Sequence, residues 1–242
     1  MVEEAQPQPE RYPFWNYIDF LLFLVALAPA GLLAFGTVMA TNWVAGPLSR
    51  TLAALLLQFT LYGFWFLALY AIFHVRYSQP FWRSLRWDAS PKVMWRSLLL
   101  GPVLAITVGV LGKLLNTPDT QVPLMELLDS PTSIALVGFF AVTLGPLCEE
   151  LAFRGFLLPL LTRTVGAVTA IILAAAPFAV LHGPQYAWSW RHILLIGLAG
   201  AAFGAVRHVT GSTGAAAAMH ATYNLAFFAG FLATQGDKLP KW

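Results

Sequence analysis

Charged residues are scarce in this sequence. Only 10% of its 242 residues are Asp, Glu, Lys or Arg, whereas soluble domains average about 25%. Hydrophobic residues make up 58% of the chain and the mean hydropathy is +0.69. Because so few ionised groups cannot coat a soluble globule, the composition excludes a cytosolic enzyme and a disordered chain and indicates a membrane protein.

Cysteine and targeting signals are equally limited. Cys148 is the single cysteine, which excludes an internal disulfide and a zinc cluster built from several cysteines. The first residues carry Glu3, Glu4 and Glu10 and lack the basic region and the small-residue cleavage site of a signal peptide. We therefore expect this segment to be retained.

Long apolar runs dominate the rest of the chain. A spanning helix needs about 20 mostly apolar residues, and in lipid only helices or closed barrels satisfy their backbone groups. The runs are too continuous for barrel strands, so we predict an all-α, polytopic transmembrane bundle of about seven spanning helices, at 20–40, 51–73, 97–115, 134–161, 165–182, 193–206 and 213–234.

The few charges are unevenly placed between these segments. The loop 74–96 holds five basic residues, Arg76, Arg83, Arg86, Lys92 and Arg96, whereas the loop 116–131 has no Lys or Arg. The positive-inside rule therefore predicts that the 74–96 loop and the N-terminal tail are cytoplasmic. Trp82, Trp87 and Trp95 alternate with the arginines, a pattern typical of an aromatic belt and also suited to contact with anionic lipid.

Two carboxylates lie deep in the fourth segment. Glu149 and Glu150 are adjacent, and Arg154 is four residues after Glu150, so Glu150 and Arg154 share a helix face and can pair. Glu149 points about 100° away, which leaves it free to face a cavity and take a proton. Ionisable groups at such depth are expensive and indicate a functional site, although a Glu–Arg pair can also be purely structural.

Two histidines and an asparagine add to this set. His182 ends the fifth segment, while His220 and Asn224 lie one turn apart in the seventh, where both could hold one oxygen or one metal ion. Each of these side chains, taken alone, could simply form a hydrogen bond between helices. Their joint occurrence with the two glutamates favours function.

These side chains can meet only if their depths agree. Segment 134–161 is about 42 Å long against a hydrocarbon core of about 30 Å, so it must tilt or protrude. If it protrudes on the cytoplasmic side, His182 comes to mid-depth alongside Glu149. Pro146 and Pro177 predict kinks at Val142 and Leu173, and with them a hydrated pocket near the ionisable groups.

Three motifs in this region resemble those of a known family. Glu149-Glu150-Leu-Ala-Phe-Arg154 is similar to EExxxR, Phe178-Ala-Val-Leu-His182 to FxxxH, and His220-Ala-Thr-Tyr-Asn224 to HxxxN. These are the motifs of the CAAX-protease and bacteriocin-processing (CPBP, or Abi) family of intramembrane proteases, which includes the type II CAAX prenyl endopeptidases. The stretch from Phe203 through Thr210-Gly211-Ser212 is similar too.

The resemblance implies roles for these residues. Glu149 would be the general base that activates water, assisted by His182, while His220 and Asn224 would stabilise the oxyanion. Glu150, Arg154 and Phe178 would support the site. It also implies a catalytic core in 134–234, preceded by a tail in 1–17 and generic spanning helices in 18–133, and followed by a tail in 235–242.

A metal-dependent reaction remains an alternative. Glu149, His182 and His220 could supply a His₂Glu set for a catalytic zinc ion. Against this, the three ligands come from separate helices and no HExxH pair is present. We favour no cofactor, and we interpret Cys148 as a small buried hydrophobe rather than a nucleophile.

Three functions are therefore weighed. The first is an intramembrane endopeptidase acting on a membrane-associated, CAAX-like or lipidated protein. The second is a non-catalytic immunity or binding protein on the same scaffold, and the third is a proton-coupled transporter, which commonly requires inverted repeats that this sequence does not show. The expected partners are the bilayer and a protein or peptide substrate, and we expect no nucleic acid. We expect a multi-pass protein of the cell membrane, which in a bacterium is the inner membrane.

Gly200 and Gly204 form a GxxxG pair that we assign to packing within the chain.

Overall fold

The fold is helical throughout the part of the chain that the computed structural model describes, residues 12–118 and 126–235. The tail predictions for residues 1–11 and for those after 235 lie outside the described residues. The helices are α1 (Tyr17–Val25), α2 (Leu27–Ala45), α3 (Arg50–Ala71), α4 (Phe81–Ser84), α5 (Pro91–Leu114), α6 (Pro131–Val142), α7 (Leu144–Glu150), α8 (Leu158–Val165), α9 (Ala167–Leu181), α10 (Trp190–Thr210) and α11 (Thr213–Gln235). Two π-helical segments, Ile72–Arg76 and Leu151–Leu157, continue α3 and α7, and a 3₁₀ turn, Gly183–Tyr186, follows α9.

Local sequence signals explain where several helices begin. The side chain of Asn16 accepts hydrogen bonds from the first turn of α1, and the carboxylate of Asp19 accepts one from the backbone N–H of Asn16, which completes a capping box. Ser49, Ser90 and Ser130 cap α3, α5 and α6 in the same way. The connections between the long helices are thus defined by polar caps.

The helices confirm the prediction of a polytopic bundle of about seven spans. Five stretches are long and apolar enough to cross a membrane: Tyr17–Ala45, Arg50–Arg76, Pro91–Leu114, Pro131–Val165 and Trp190–Thr210. Ala167–Leu181 is apolar but shorter, and α11 covers the seventh predicted segment. A helical multi-pass membrane protein is the class that this architecture defines.

The fourth span is interrupted next to the site. Its first helix, α6, ends at Val142, Thr143 has φ −118° and ψ −76°, and α7 begins at Leu144. This is the break predicted from Pro146, whose ring and missing N–H disturb the preceding turn. By contrast, α9 runs through Pro177 as one helix.

An aromatic core joins the first described residues to the fourth span. The side chain of Trp15 is fully buried, packs against Phe73 and Phe156, and donates its indole N–H to the backbone oxygen of Phe156 at 3.0 Å. Phe23 adds a further edge contact to Phe156. The segment before α1 is therefore packed into the protein rather than extended from it.

Two helix pairs bring the motifs together. Helix α11, which covers the seventh predicted segment, packs chiefly on α5 and also contacts α6, α7 and α10. Helix α10 packs chiefly on α9. Gly101 permits the closest approach, because a Cβ there would collide with the backbone of α11 at Met219. The polar residues of α7, α9 and α11 consequently face one another inside the bundle.

Candidate active site

The Glu150–Arg154 ion pair lies at the centre of the site. Arg154 Nη1 donates to Glu150 Oε1 at 2.9 Å, and the two side chains are 1% and 0% exposed. Arg154 Nη2 donates to the carbonyl oxygen of Gly200 at 2.7 Å, and its guanidinium lies 4.5 Å from the ring centroid of Phe178. The pairing predicted from the four-residue spacing is therefore present, and it links α7 to α9 and α10.

His220 extends this pair toward Glu149. Its Nδ1 lies 2.9 Å from Glu150 Oε1, its Nε2 lies 3.8 Å from Glu149 Oε2, and its ring stacks on Phe203 at 4.4 Å. Because the carboxylate paired with Arg154 accepts, Nδ1 carries a proton, and Nε2 of a neutral ring presents a lone pair to Glu149. Glu149 has 24% of its side chain exposed, so the cluster runs from a buried ion pair to an accessible carboxylate.

His182 lies one aromatic ring away from His220. Its Nδ1 donates to the carbonyl oxygen of Phe178 at 2.7 Å, since a carbonyl only accepts. The Phe178 ring centroid is 4.7 Å from that of His182 and 5.9 Å from that of His220. The second and third motifs therefore meet through Phe178, and among the described residues no hydrogen bond joins His182 directly to Glu149.

Asn224 has a different contact from the one its spacing suggested. Its Nδ2 donates to the carbonyl oxygen of Ala141 at 2.8 Å, at the end of α6 just before the break at Thr143. The amide has a second N–H that this contact does not use. Asn224 thus holds α11 against the interrupted span through one N–H, and its sharing of an oxygen atom with His220 stays a prediction.

A cavity of about 650 Å³ is lined in part by Cys148, the residue that precedes Glu149 in the chain, while Glu149 is not among its wall residues. Its walls come from α3, α4, α6 and α7, and they include Tyr62, Phe66, Phe81, Phe140, Leu147 and Cys148. The sequence predicted a hydrated pocket near the glutamates. The pocket has mostly hydrocarbon and aromatic walls, which suit an apolar ligand.

The proposed zinc ligands do not converge as a set. Among residues 12–118 and 126–235, no group of three or more His, Cys, Asp and Glu side chains is arranged to hold a metal ion. His220 Nδ1 is engaged by Glu150 and His182 Nδ1 by the carbonyl of Phe178, and both contacts leave Nε2 available. The choice between a metal-free and a metal-dependent reaction therefore stays a prediction.

Gly200 and Ala141 both contact site residues, and the sequence contains little or no indication of either contact. A Cβ at Gly200 would lie 2.9 Å from Phe178 Cδ1 and 3.1 Å from Arg154 Nη2, and a Cβ at Gly204 would lie 3.3 Å from Ile171. The GxxxG pair thus packs within the chain, as predicted, and its first glycine also accepts the hydrogen bond from Arg154. The Ala141 carbonyl has no signal in the sequence, because any residue supplies one.

The comparison with family models assigns this region. Residues 131–226 match the Rce1-like family, described as type II CAAX prenyl endopeptidase Rce1-like, and all three motifs fall inside the match. This segment is therefore similar to the type II CAAX prenyl endopeptidases, and the likeness supports an intramembrane protease of the CAAX type in general. No curated protein and no solved structure matches the chain.

Proposed function

We propose that this protein is an intramembrane endopeptidase that hydrolyses a peptide bond of a membrane-associated protein with water activated by Glu149. The observation that carries the proposal is the continuous polar chain Arg154–Glu150–His220–Glu149, which ends at a half-exposed carboxylate inside the segment that matches a protease family. A purely structural ion pair needs neither the histidine nor the second carboxylate.

Glu149 is the base in this mechanism. Its Oε2 is 3.8 Å from His220 Nε2, so a water molecule about 2.8 Å from each atom fits between them. Glu149 takes a proton from this water as its oxygen attacks the peptide carbonyl carbon, and the carbonyl oxygen becomes an oxyanion. General base catalysis of this kind contributes about 10² to 10⁴ in rate.

His220 and Asn224 support the oxyanion. Since Nδ1 already donates to Glu150, His220 can donate to the oxyanion only if its ring has taken up a second proton, on Nε2, from solvent before water attacks. That proton stays on Nε2 throughout the reaction. The N–H of Asn224 that is not directed at Ala141 is the other donor. Each donor in such a site contributes about 3–4 kcal/mol.

Collapse of the tetrahedral intermediate needs an acid. The proton that Glu149 removed from water passes to the leaving nitrogen as the C–N bond breaks, which releases an amine and a carboxylic acid and restores the Glu149 carboxylate. The carboxylic acid then loses its proton to water. His182, half-buried next to Phe178, assists by holding the attacking water or the substrate. Glu150 and Arg154 are positioning residues that fix the orientation of the His220 ring.

The apolar cavity suggests the substrate class. A volume of about 650 Å³ falls within the usual range for small-ligand pockets, about 300–1,000 Å³. Because Cys148 in its wall precedes Glu149 in the chain, hydrocarbon bound there would lie near a peptide bond held at Glu149. We propose that a lipidated or membrane-inserted segment of the substrate occupies it.

The orientation of the chain is part of this proposal. We place the N-terminal end and the basic loop between α3 and α5 on the cytoplasmic side, on the basis of its arginines. The Arg50–Glu126 pair then lies on the opposite side. Labelling of single cysteines introduced at Arg50 and at Lys92 in a Cys148→Ala background tests this, because only the former should react from outside intact cells.

The experiment for the proposed function is quantitative membrane proteomics of cells that carry wild type, Glu149→Gln or Glu126→Gln. Glu126 is an exposed glutamate far from the site and provides the matched control. We expect uncleaved precursors to accumulate only with Glu149→Gln. If Glu149→Gln cells process every protein normally but keep the wild-type phenotype, the chain is a binding protein and the proposed catalysis is wrong.

A further inference from the structure

A second cavity, of about 520 Å³, lies away from the site just described. It is bordered by the segment before α1, by α4 with the turn that follows it, and by the turn between α10 and α11. Its walls include Tyr12, Arg83, Ser84, Arg86, Asp88 and Gly211. Each bordering segment is a connection at the end of a spanning helix, so the cavity opens at one face of the membrane domain.

The floor of this cavity is held by a buried network. Thr213 donates its backbone N–H to the carbonyl oxygen of Arg86 at 2.8 Å and its hydroxyl to that of Leu85 at 2.6 Å. Arg207 donates from Nε to the hydroxyl of Thr213 at 2.9 Å and from Nη2 to that of Tyr12 at 2.8 Å. Burial raises the pKa of the Tyr12 hydroxyl, so this phenol stays neutral and adds no negative charge.

Two guanidinium groups border the cavity without a carboxylate partner. Within the described ranges, neither Arg83 nor Arg86 has an acidic group within salt-bridge distance, whereas Arg50, Arg76 and Arg154 each do. Arg86 is oriented by cation–π contact, with its guanidinium carbon 4.1 Å from the centroid of the Tyr12 ring. Asp88 is the acidic group among the wall residues, so the wall carries a net charge of +1.

The backbone at Arg86 is also under strain. Its φ is 49°, in the left-handed region that a residue with a long side chain rarely adopts. The hydrogen bond from Thr213 holds it there. Strained conformations of this kind persist where the surrounding structure enforces them and cluster at binding sites.

The neighbouring tryptophans indicate the depth of the cavity relative to the membrane. Trp82 and Trp95, on either side of Arg83 and Arg86 in the chain, are 51% and 63% exposed. Tryptophan is enriched at the membrane–water interface, where phospholipid headgroups lie. An open, positively charged cavity at that level faces phosphate groups rather than hydrocarbon.

We propose that this cavity, which we call the Arg83–Arg86 cavity, binds the phosphate group of an anionic phospholipid. The planar guanidinium fork matches phosphate oxygens and donates charge-assisted hydrogen bonds to them. Asp88 repels the phosphate and weakens binding, while the net charge of +1 from Arg83, Arg86 and Asp88 favours ligands with net negative charge. The rigid network below the cavity means that the site exists before the lipid arrives, which lowers the cost of binding.

The test compares lipid binding by purified full-length variants in a mild detergent. The unfolding temperature is followed as phosphatidylglycerol, phosphatidylcholine with the same acyl chains, or inorganic phosphate is added. The variants are Arg83→Gln/Arg86→Gln and the control Lys92→Gln/Arg96→Gln, which removes the same charge from the beginning of α5, outside the cavity. Arg83→Gln alone, at an exposed position on α4 outside the buried network, serves if the double variant fails to fold.

We expect phosphatidylglycerol to stabilise wild type and the control with apparent affinities within about threefold of each other, and phosphatidylcholine to have little effect. Loss of two charge-assisted contacts should weaken the apparent affinity of Arg83→Gln/Arg86→Gln at least about tenfold. Asp88→Asn should bind more tightly than wild type. Equal losses in the cavity and control variants would overturn the proposal in favour of general surface charge, and stabilisation by inorganic phosphate at the same concentration would overturn the assignment to a lipid.

Discussion

Removal of the Arg154 guanidinium should destabilise the protein more than almost any other single change in the site. Arg154→Met deletes the hydrogen bonds to Glu150 and Gly200 and leaves the carboxylate of Glu150 fully buried, with His220 as its remaining partner. Glu150 Oε2 already has no hydrogen-bond partner in the described structure. Breaking a buried pair in this way costs about 3–5 kcal/mol, which corresponds to a fall in unfolding temperature of about 6–20 °C for a chain of this size.

A second substitution separates stability from function. In Glu150→Gln/Arg154→Met both charges are removed together, and exchange of a whole buried ion pair for neutral groups is often close to neutral in stability. We expect this double variant to recover most of the lost unfolding temperature in detergent. Its proteolytic activity should stay low, because a neutral amide beside His220 Nδ1 no longer stabilises the imidazolium that the oxyanion requires. An Arg154→Met protein as stable as wild type, or a double variant no more stable than Arg154→Met, would refute this reasoning.

Three further predictions concern the packing around the site, the apolar cavity and the metal-free mechanism. Gly200→Ala should lower the free energy of unfolding by about 1–3 kcal/mol, because its Cβ would lie 3.1 Å from the Arg154 guanidinium. Gly197→Ala is the control: its Cβ would make an ordinary contact at 3.6 Å, so the free energy of unfolding, measured in detergent, should stay the same or rise. Gly63→Phe fills open space in the wall of the apolar cavity and should raise KM for a lipidated substrate with little change in kcat, whereas Gly109→Phe, in open space elsewhere, should change neither value. Treatment with a zinc chelator should leave cleavage unchanged, and loss of activity that added Zn²⁺ restores would contradict the metal-free mechanism.

The order and number of spanning helices could be predicted from the sequence because lipid imposes a length on each apolar run. All seven predicted segments coincide with helices, and Pro146 correctly marked the break at Thr143. The helix through Pro177 was less predictable, because proline is tolerated inside a spanning helix where the neighbouring structure satisfies the freed groups.

The residues that come together in the site could be predicted from the sequence, but the contacts that join them between different helices could not. Spacing within one helix predicted the Glu150–Arg154 pair. The contact of His220 with Glu150 and that of Asn224 with the Ala141 carbonyl depend on how α11 is rotated and shifted against α6 and α7, which no periodicity encodes. The pair between the buried Asp19 and Arg76 likewise has no signal in the sequence, because the two residues lie in different spans.

Cleavage by the purified protein tests the central claim most directly. The substrate is a precursor found by proteomics, presented with wild type, Glu149→Gln or Glu126→Gln in lipid vesicles. We predict that Glu149→Gln lowers the rate by about 10² to 10⁴ and that Glu126→Gln, which changes an exposed glutamate outside the site, cleaves at the wild-type rate. Full activity of Glu149→Gln, or an equal loss of activity in Glu126→Gln, would contradict a mechanism in which Glu149 activates water.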